Sequence, residues 1–264
     1  MKFCKMNGCG NDYVFVYLPE NPIDRLGELA KKVSDRHYGI GSDGLIVIDS
    51  GKEGDFRMRV FNADGSEAAM CGNAIRCAAR WMRDEHKIDR DDFTFETRGG
   101  LRHVRVEPDS RPYTVRVEMG IPRFFGAPQG ETAILTHYGA VSAVLVDVGN
   151  PHAVLFTDKI CDGMMRLAEE VSQSDRFPDG INVEVASVES RDTIRMRVIE
   201  RGSGETLACG TGATAVAFAA KQKGWIDRSA TVVLKGGSLT ISFEGDTAYM
   251  AGDANYNFRG EYQW

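Results

Sequence analysis

The sequence of 264 residues is long enough for one large domain or two modest ones, and its 42% apolar and 27% charged residues are typical of a globular protein. With 32 Lys and Arg against 38 Asp and Glu, the net charge is −6 and no basic cluster stands out, which argues against nucleic acid or an anionic membrane as the main partner. No apolar run reaches the roughly 18–20 residues that span a bilayer, and no signal-like segment opens the chain. Because the six cysteines are also sparse, we expect a soluble cytoplasmic protein with reduced thiols.

The predicted elements are short strands and a few helices. Apolar and β-branched runs bounded by Gly, Asp, Asn or Pro predict strands over 3–5, 13–17, 45–48, 56–61, 93–97, 102–107 and 114–118. Apolar residues at helical spacing predict helices over 22–37, 74–85, 160–172 and 213–223. The helices that start near 74 and 213 are rich in Ala and apolar nearly all round, so we expect each to be buried inside a curved, mostly antiparallel sheet.

A duplication organises the chain. The motif Arg-Met-Arg-Val at 57–60 recurs at 195–198, 138 residues later, and the same offset carries Glu67 onto Glu205 and Cys71 onto Cys209. Such a constant offset indicates two copies of one αβ unit. We expect an N-terminal domain of residues 1–118 plus 249–264, to which the last strand returns, and a C-terminal domain of residues 119–248. The segment 120–130 is interpreted as the linker.

Cys71 and Cys209 each lie just before a predicted helix, where backbone N–H groups and the positive end of the helix dipole gather. At such a position we expect the pKa of a thiol to be lowered and a carboxylate to be held by main-chain donors. If the copies are related by pseudo-twofold symmetry, the two cysteines face each other across the domain interface. The pair can then remove a proton from one face of a carbon and return one to the other face, which suits inversion at the α-carbon of an amino acid without a metal or pyridoxal.

Other interpretations of these residues fit less well. Cys71 and Cys77 lack the spacing and the paired His of a zinc site, and a Cys–His hydrolase using His152 leaves the second cysteine unexplained. The Gly-rich segment 39–44 follows a helix and enters a strand, the reverse of a dinucleotide site, and the loop 202–212 lacks the Lys of a phosphate-binding loop. The remaining cysteines are interpreted as structural: Cys4, Cys77 and Cys161 as small buried hydrophobes, and Cys9 as a partly exposed loop residue.

Several longer motifs carry a family resemblance. They are KMNGCGND at 5–12, FNADGSE at 61–67, CGN at 71–73, GNPH at 149–152 and ERGSGETLACGTGA at 200–213. In this order the chain resembles the diaminopimelate epimerase family from the first strand to the last. The resemblance implies an α+β fold of two pseudo-symmetric domains, each a curved, mostly antiparallel sheet wrapped around a central helix. It also implies a pyridoxal-independent, metal-free epimerase without a cofactor, which converts LL-2,6-diaminopimelate into the meso isomer in lysine and cell-wall precursor synthesis.

The resemblance further implies a role for each matching residue. Cys71 and Cys209 become the acid–base pair, and Glu200 would accept from a substrate ammonium and, with His152, tune the pKa of the cysteines. Arg201 would bind the distal carboxylate. Position 44 is Gln in some relatives, and Gly44 is therefore left out of the site. The remaining substrate-binding residues would be Gly72, Asn73, Gly210 and Thr211, whose N–H groups hold the reacting carboxylate, and Asn11, Asn62, Asn150 and Asn182, which read the distal end.

Two other functions stay open beside the epimerase. One is another two-cysteine, cofactor-independent amino-acid racemase, against which Arg201 and the Asn set favour a substrate with a second amino-acid terminus. The other is a non-catalytic amino-acid-binding protein, which has no need of two equivalent cysteines. Members of the family are often dimers, and four aromatic residues near the end of the chain could serve such a contact or the core of the returning strand: Tyr256, Phe258, Tyr262 and Trp264.

Overall fold

The computed structural model describes residues 1–85 and 87–264. Its chain divides into two compact units, the first formed by Met1–Val117 and Gly252–Trp264 and the second by Glu118–Ala251. These described residues hold 19 strands and four α-helices. The fold is α+β, and in each unit most strand pairs are antiparallel.

The helices are α1 (Leu26–Ser34), α2 (Gly72–Asp84), α3 (Asp162–Ser172) and α4 (Gly210–Gln222). The first ten strands are β1 (Lys2–Gly8), β2 (Asn11–Tyr17), β3 (Gly44–Ser50), β4 (Phe56–Asn62), β5 (Glu67–Ala68), β6 (Asp92–Thr97), β7 (Gly100–Glu107), β8 (Thr114–Gly120), β9 (Arg123–Phe124) and β10 (Glu131–Thr136). The others are β11 (Gly139–Asp147), β12 (Pro151–Phe156), β13 (Asn182–Ser190), β14 (Thr193–Glu200), β15 (Gly204–Thr206), β16 (Ser229–Leu234), β17 (Gly237–Glu244), β18 (Thr247–Asp253) and β19 (Asn255–Glu261).

The two units repeat one topology. In the first, neighbouring strands follow the order β19, β1, β2, β3, β4, β6, β7, β8, and only the pairs β2–β3 and β4–β6 are parallel. In the second, the order is β10, β11, β12, β13, β14, β16, β17, β18, and only β12–β13 and β14–β16 are parallel. The same order and directions in both units are those expected of a duplicated αβ unit, and β19 pairs with β1.

The sheet of the first unit is covered by one helix on each face. Along β2, Val14 and Val16 belong to a cluster with Leu29 of α1, while Phe15 points the other way and meets Trp81 of α2 edge-on at 6.2 Å between ring centroids. Almost every residue of α2 is buried. The prediction of a buried central helix is therefore confirmed for this unit.

The second unit is built in the same way. Val183 and Val185 of β13 pack with Ala168 and Val171 of α3. The helix α4 contacts β11, β12, β13 and β17, and its residues 213–220 are all buried. Strand β13 is thus covered on both faces, which leaves no solvent side for the residues that alternate with Val183 and Val185.

Four predicted elements need correction. The helix expected over 22–37 is shorter, because Asp35 leaves the helical conformation and its carboxylate accepts the N–H groups of His37 and Tyr38. The helices expected to begin at 74 and 213 begin earlier, which makes Cys71 and Cys209 their N-cap residues. The expected linker 120–130 contains β9, which pairs with β11. In residues 1–85 and 87–264 no helix is both long and apolar enough to cross a membrane.

Candidate active site

A short hairpin leads into each cysteine, and the same ion pair holds it in both units. Arg59 on β4 donates from Nε and Nη2 to the two carboxylate oxygens of Glu67 on β5, at 2.8 and 2.9 Å. Arg197 on β14 does the same to Glu205 on β15, at 2.7 and 3.0 Å. Such forked pairs fix orientation as well as distance. The repeated Arg and Glu of the sequence therefore set the strand end from which each cysteine helix begins.

In the first unit, the sulfur of Cys71 faces a carbonyl oxygen. Cys71 Sγ donates to Asn11 Oδ1 at 3.6 Å, and Asn73 Nδ2 donates to the same oxygen at 3.4 Å. The amide of Asn11 is held in this orientation because its Nδ2 donates to the carboxylate of Asp43 at 2.6 Å. A carbonyl oxygen accepts from a thiol and has nothing to donate to a thiolate. Asn11 therefore contributes a hydrogen-bond acceptor to the surroundings of this sulfur.

Tyr13 also belongs to this cluster, although the sequence did not single it out. Its side chain is 7% exposed, and its hydroxyl hydrogen-bonds to Cys71 and Asn11. Burial, followed by the charge of Cys71, raises the pKa of Tyr13 well above its ordinary value. A Cβ on Gly44 would lie 3.0 Å from the Tyr13 ring and 2.2 Å from the carbonyl oxygen of Phe61. The missing side chain at position 44 therefore lets the backbone of β4 approach and leaves room for the tyrosine.

A buried arginine braces the start of α2. Arg76 is fully buried and donates to the carbonyl oxygen of Gly72, to Oδ1 of Asn73 and to the carbonyl oxygen of Asp253, each at 3.0 Å. The bond to Asn73 turns the amide nitrogen of that side chain toward the cysteine cluster. Nothing in the sequence pattern distinguished Arg76 from a surface arginine, because the burial comes from the sheet wrapped around the helix.

Cys9 was expected to be partly exposed, and this is wrong. Its side chain is 1% exposed, with Sγ 3.5 Å from Asp253 Oδ1 and 3.6 Å from Arg76 Nη2. Burial raises the pKa of Cys9 to about 11. The thiol is therefore held inside the first unit rather than presented to solvent.

In the second unit, the sulfur of Cys209 faces hydrogen-bond donors. Cys209 Sγ accepts from the N–H of Gly212 at 3.4 Å and lies 3.4 Å from the hydroxyl of Thr211. A side-chain hydrogen bond also links Cys209 to Glu200, whose own pKa is raised by burial. Donors at the sulfur stabilise a thiolate. The two cysteines, although equivalent by duplication, therefore have different hydrogen-bond partners.

The pKa of Cys209 does not follow the expectation from its helix start. Burial raises this pKa well above the ordinary value, and the charges of Glu200 and Glu184 raise it further. The bonds from Thr211 and Gly212 lower it but do not outweigh burial and two carboxylates. The expected lowering is thus wrong for this thiol.

His152 is fully buried and is linked to Cys209 through two intermediate side chains. Its Nδ1 lies 2.7 Å from Glu184 Oε1, and its Nε2 lies 3.0 Å from Asn150 Oδ1. Asn150 Nδ2 in turn donates to Thr211 Oγ1 at 3.4 Å, and Thr211 is the neighbour of the Cys209 sulfur. Glu184, which the sequence did not single out, is as completely buried as His152. The histidine therefore reaches Cys209 through an amide and a hydroxyl.

The predicted main-chain donors lie at the two helix starts. The first helical bonds run from Ile75 to Cys71 and from Ala213 to Cys209. The N–H groups ahead of these bonds are those available to a carboxylate. They include those of the four residues expected from the sequence, Gly72, Asn73, Gly210 and Thr211, whereas the N–H of Gly212 is already bonded to Cys209 Sγ.

The residues expected to bind the distal end of the substrate lie at separate places in the structure. Asn62 is exposed and donates to Ser66 Oγ at 3.0 Å. Asn182 is buried, donates to the carbonyl oxygen of Pro151 and accepts from the N–H of Arg201, both at 3.0 Å. The side chain of Arg201 is exposed, with Nη1 donating to the carbonyl oxygen of Asp179 at 3.1 Å. Asn182 thus holds the backbone at Arg201.

The remaining cysteines divide between core and surface. Cys4 and Cys77 are buried, as expected, but Cys161 is exposed at the N-cap of α3, so that prediction is wrong. In the part of the chain that the structure describes, no three His, Cys, Asp or Glu side chains are grouped so that they could hold a metal ion.

Comparison with known proteins assigns the chain that carries these two clusters to a family. The sequence profile described as diaminopimelate epimerase matches residues 3–125 and 144–257. The chain belongs to the diaminopimelate epimerase family. A diaminopimelate epimerase from Desulfovibrio desulfuricans is 43% identical, over 99% of this chain and 98% of that protein. Another from Methanococcus maripaludis is 40% identical, over 99% of both.

Solved structures with much lower sequence identity to this chain share its fold. A Bacillus anthracis phenazine biosynthesis protein of the PhzF family superposes with a TM-score of 0.75 at 14% identity, covering 100% of this chain and 99% of that one. A hydroxyproline epimerase from Agrobacterium vitis superposes with a TM-score of 0.71 at 15% identity, covering 98% and 90%. At such identities the likeness shows the fold alone, and it confirms the predicted α+β fold class.

Proposed function

We propose that this protein interconverts LL-2,6-diaminopimelate and meso-diaminopimelate by inverting one α-carbon, with Cys71 and Cys209 as the two acid–base groups. The observation that carries the proposal is the pair of equivalent N-cap cysteines in a chain of the diaminopimelate epimerase family. Their equivalent positions suit a pair of groups that exchange acid and base roles in one turnover.

The proton transfers balance across the two thiols. A Cys209 thiolate takes the α-proton, and the electron pair of the broken C–H bond stays on the carbon and spreads into the carboxylate. The Cys71 thiol then gives its proton to the other face of that carbon, which leaves a Cys71 thiolate and a Cys209 thiol. The reverse reaction exchanges these roles. The raised pKa of Cys209 makes its thiolate a strong base, as a weakly acidic α-proton requires.

The substrate itself helps to form that thiolate. Glu200 is one of the two carboxylates whose charge raises the pKa of Cys209. A substrate ammonium that binds Glu200 compensates this charge, so the thiolate becomes easier to form when substrate is present. The reacting carboxylate is held by the N–H groups at the helix starts, which meet the negative charge that develops on it.

The distal amino-acid end is bound without chemistry. Arg201 supplies a guanidinium for its carboxylate, and Asn182 positions Arg201 by accepting from its backbone N–H. Asn62 supplies a further amide group toward this end, whereas the amides of Asn11 and Asn150, which were expected here, are engaged beside the cysteines. A substrate with only one amino-acid terminus would leave these groups unused, which is why the proposal favours diaminopimelate over a simple amino acid.

The test is incubation of the reduced protein with LL-diaminopimelate in D₂O, followed by NMR. We expect the meso isomer to form with deuterium at the inverted α-carbon. Proline and hydroxyproline, offered in parallel, should show no exchange. Absence of exchange with LL-diaminopimelate would refute the proposal, and exchange with proline alone would favour the racemase alternative.

Cysteine variants test the roles of the two thiols. Cys71→Ala and Cys209→Ala should each lower kcat by about 10²–10⁴-fold, the usual contribution of a general acid or base. Cys161→Ala is the matched control, because Cys161 is also a helix N-cap but lies exposed on α3. Full activity in either of the first two variants, or equal loss in the control, would contradict the two-base assignment.

We also propose that the protein works in the cytoplasm as a homodimer. All six cysteines are free thiols, which suits a reducing compartment. Phe258 and Trp264 expose apolar area near the end of the chain and are candidates for the contact. Light scattering should give twice the chain mass, and a monomer at micromolar concentration would refute the dimer.

A further inference from the structure

We propose that Glu184 is a positioning residue for the proposed epimerisation. Through His152, Asn150 and Thr211, it sets the direction in which hydrogen bonds run toward the sulfur of Cys209. The inference rests on the proposed function, since it concerns how one of the two reacting thiols is prepared. It assigns a task to a buried carboxylate that touches neither the sulfur nor, in the proposed mechanism, the substrate.

The carboxylate is placed where an anion needs compensation. Glu184 and His152 are both completely shielded from solvent, and Oε2 of Glu184 has no hydrogen-bond partner among residues 1–85 and 87–264. A Cβ on Gly212 would lie 2.5 Å from Glu184 Oε1, so the glycine lets the carboxylate approach the first turn of α4. The helix dipole gives part of the compensation there, and His152, whose Nδ1 lies 2.7 Å away, would give the rest in its protonated form.

A protonated His152 fixes which group donates in each hydrogen bond between His152 and Cys209. Both of its ring nitrogens then donate, Nδ1 to Glu184 and Nε2 to Asn150 Oδ1. The amide nitrogen of Asn150 consequently points at Thr211 Oγ1, as the 3.4 Å contact shows. Because that oxygen already accepts from Asn150, the hydroxyl hydrogen of Thr211 is left to donate to the Cys209 sulfur, 3.4 Å away.

A neutral His152 would reverse the direction of the hydrogen bonds between His152 and Cys209. With its proton on Nδ1, its Nε2 would need a donor, and the amide of Asn150 would turn to provide one. The carbonyl oxygen of Asn150 would then face Thr211 and take its hydroxyl hydrogen, so the sulfur of Cys209 would lose a donor. The donating direction at the sulfur therefore belongs to the state in which Glu184 is an anion and both ring nitrogens of His152 carry protons.

Two effects of Glu184 on Cys209 therefore have opposite signs. The charged groups that act on this sulfur are Glu200 at the end of β14 and Glu184 on β13; the first turn of α4 contacts it, and His152 on β12 is linked to it through Asn150 and Thr211. The direct charge of Glu184 opposes a thiolate, whereas the hydrogen-bond chain that starts at Glu184 supports one. We expect the effect of this hydrogen-bond chain on the thiolate to outweigh that of the direct charge of Glu184. Removing the charge while keeping the shape of the side chain distinguishes the two effects.

The experiment uses Glu184→Gln, which removes the charge and keeps the shape and an acceptor. The control is Glu189→Gln on the same strand, where the side chain is exposed and paired with Arg195. The Cys209 thiolate is titrated by its ultraviolet absorbance, without substrate, as the difference between each protein and its own Cys209→Ala form. We expect Glu184→Gln to shift this titration to higher pH and to lower kcat at neutral pH about tenfold, the change that one pH unit in thiolate population makes. KM should change little, and Glu189→Gln should match the parent.

A shift to lower pH would overturn the proposal, because it would mean that the direct charge dominates. An unchanged titration with a lower melting temperature would also overturn it, because Glu184 would then be only structural. Glu184→Asp should restore part of the parent titration. If Glu184→Gln does not fold, Gly212→Ala is the second variant, since its Cβ pushes Oε1 away, and it should shift the titration in the same direction. The titration needs no substrate, so its failure is distinct from a failure of the parent protein to exchange deuterium.

Discussion

The ion pair that holds the hairpin before Cys209 makes a sharp prediction for stability. Glu205 accepts a forked pair of bonds from Arg197 and also lies 2.8 Å from Lys235 Nζ. The hydrogen bond from Arg197 is the largest cause that lowers the pKa of Glu205, from an ordinary 4.5 to about 2. The substitution Glu205→Gln keeps the shape of the side chain and removes the charge.

The magnitude follows from that difference in pKa. At about 1.4 kcal/mol for each pH unit, the step from 4.5 to about 2 sets an upper limit of about 3.4 kcal/mol on the contribution of Glu205 to the free energy of unfolding. The side chain is 27% exposed, and solvent screening reduces such a pair. We therefore expect Glu205→Gln to lower the free energy of unfolding at pH 7 by about 1–1.5 kcal/mol.

The pH dependence has a defined sign. Because the folded-state pKa is depressed, the contribution of Glu205 is complete above the unfolded value of 4.5 and is lost as the pH falls toward about 2. Urea unfolding of the parent and of Glu205→Gln should differ by the full amount at pH 7 and by less than half of it near pH 3.

The equivalent pair of the first unit is the internal control. Glu67 is bonded to Arg59 in the same forked geometry, and its pKa is also lowered, chiefly by that bond. Glu67→Gln should therefore show a penalty that fades in the same direction as the pH falls. An equal penalty at pH 7 and pH 3, or no penalty at pH 7, would refute the assignment of this stability to the ion pair.

Three further predictions concern single side chains. Tyr13→Phe removes the hydroxyl that bonds to Cys71, so kcat should fall while the melting temperature stays close to that of the parent, and an unchanged kcat would contradict a role for this hydroxyl. Leu29→Ala empties a fully buried site in the core between α1 and the sheet, and denaturant unfolding should show a loss of about 2–5 kcal/mol. In the folded protein, iodoacetamide should label the exposed Cys161 before the buried Cys4 and Cys77, as peptide mass spectrometry can show, and the reverse order would contradict the structure.

The large features of the fold could be predicted because two independent patterns agree. The constant offset between copies located equivalent positions, and the nearly uniform apolar character of residues 74–82 and 213–220 indicated helices without a solvent face. Together they placed Cys71 and Cys209 at the starts of buried helices. The end of α1 could also have been found, since Asp35 is a residue type that takes backbone N–H groups away from a helix.

The missed site residues share a physical cause. Glu184 alternates with Val183 and Val185, and in a half-buried strand this pattern places the charged residue in solvent. Here α4 covers that face, so the carboxylate is enclosed instead. Tyr13 stands in a strand that is apolar on both faces, where its hydroxyl gives no signal. In both cases a distant segment of the chain buries the side chain, and the local periodicity of the sequence carries no information about that segment.

The pairing of β19 with β1 offers a practical route to the separate halves of this protein. Met1 and Tyr262 exchange two main-chain hydrogen bonds of 2.8 Å, so the two ends of the first unit lie side by side. A gene rearranged to begin at Gly252, pass through Trp264 and a short linker to Met1, and stop at Val117 would encode the first unit as one uninterrupted chain. The second unit is already continuous. Each cysteine helix could then be produced with its own sheet, so that the environments of Cys71 and Cys209 become accessible to separate spectroscopy.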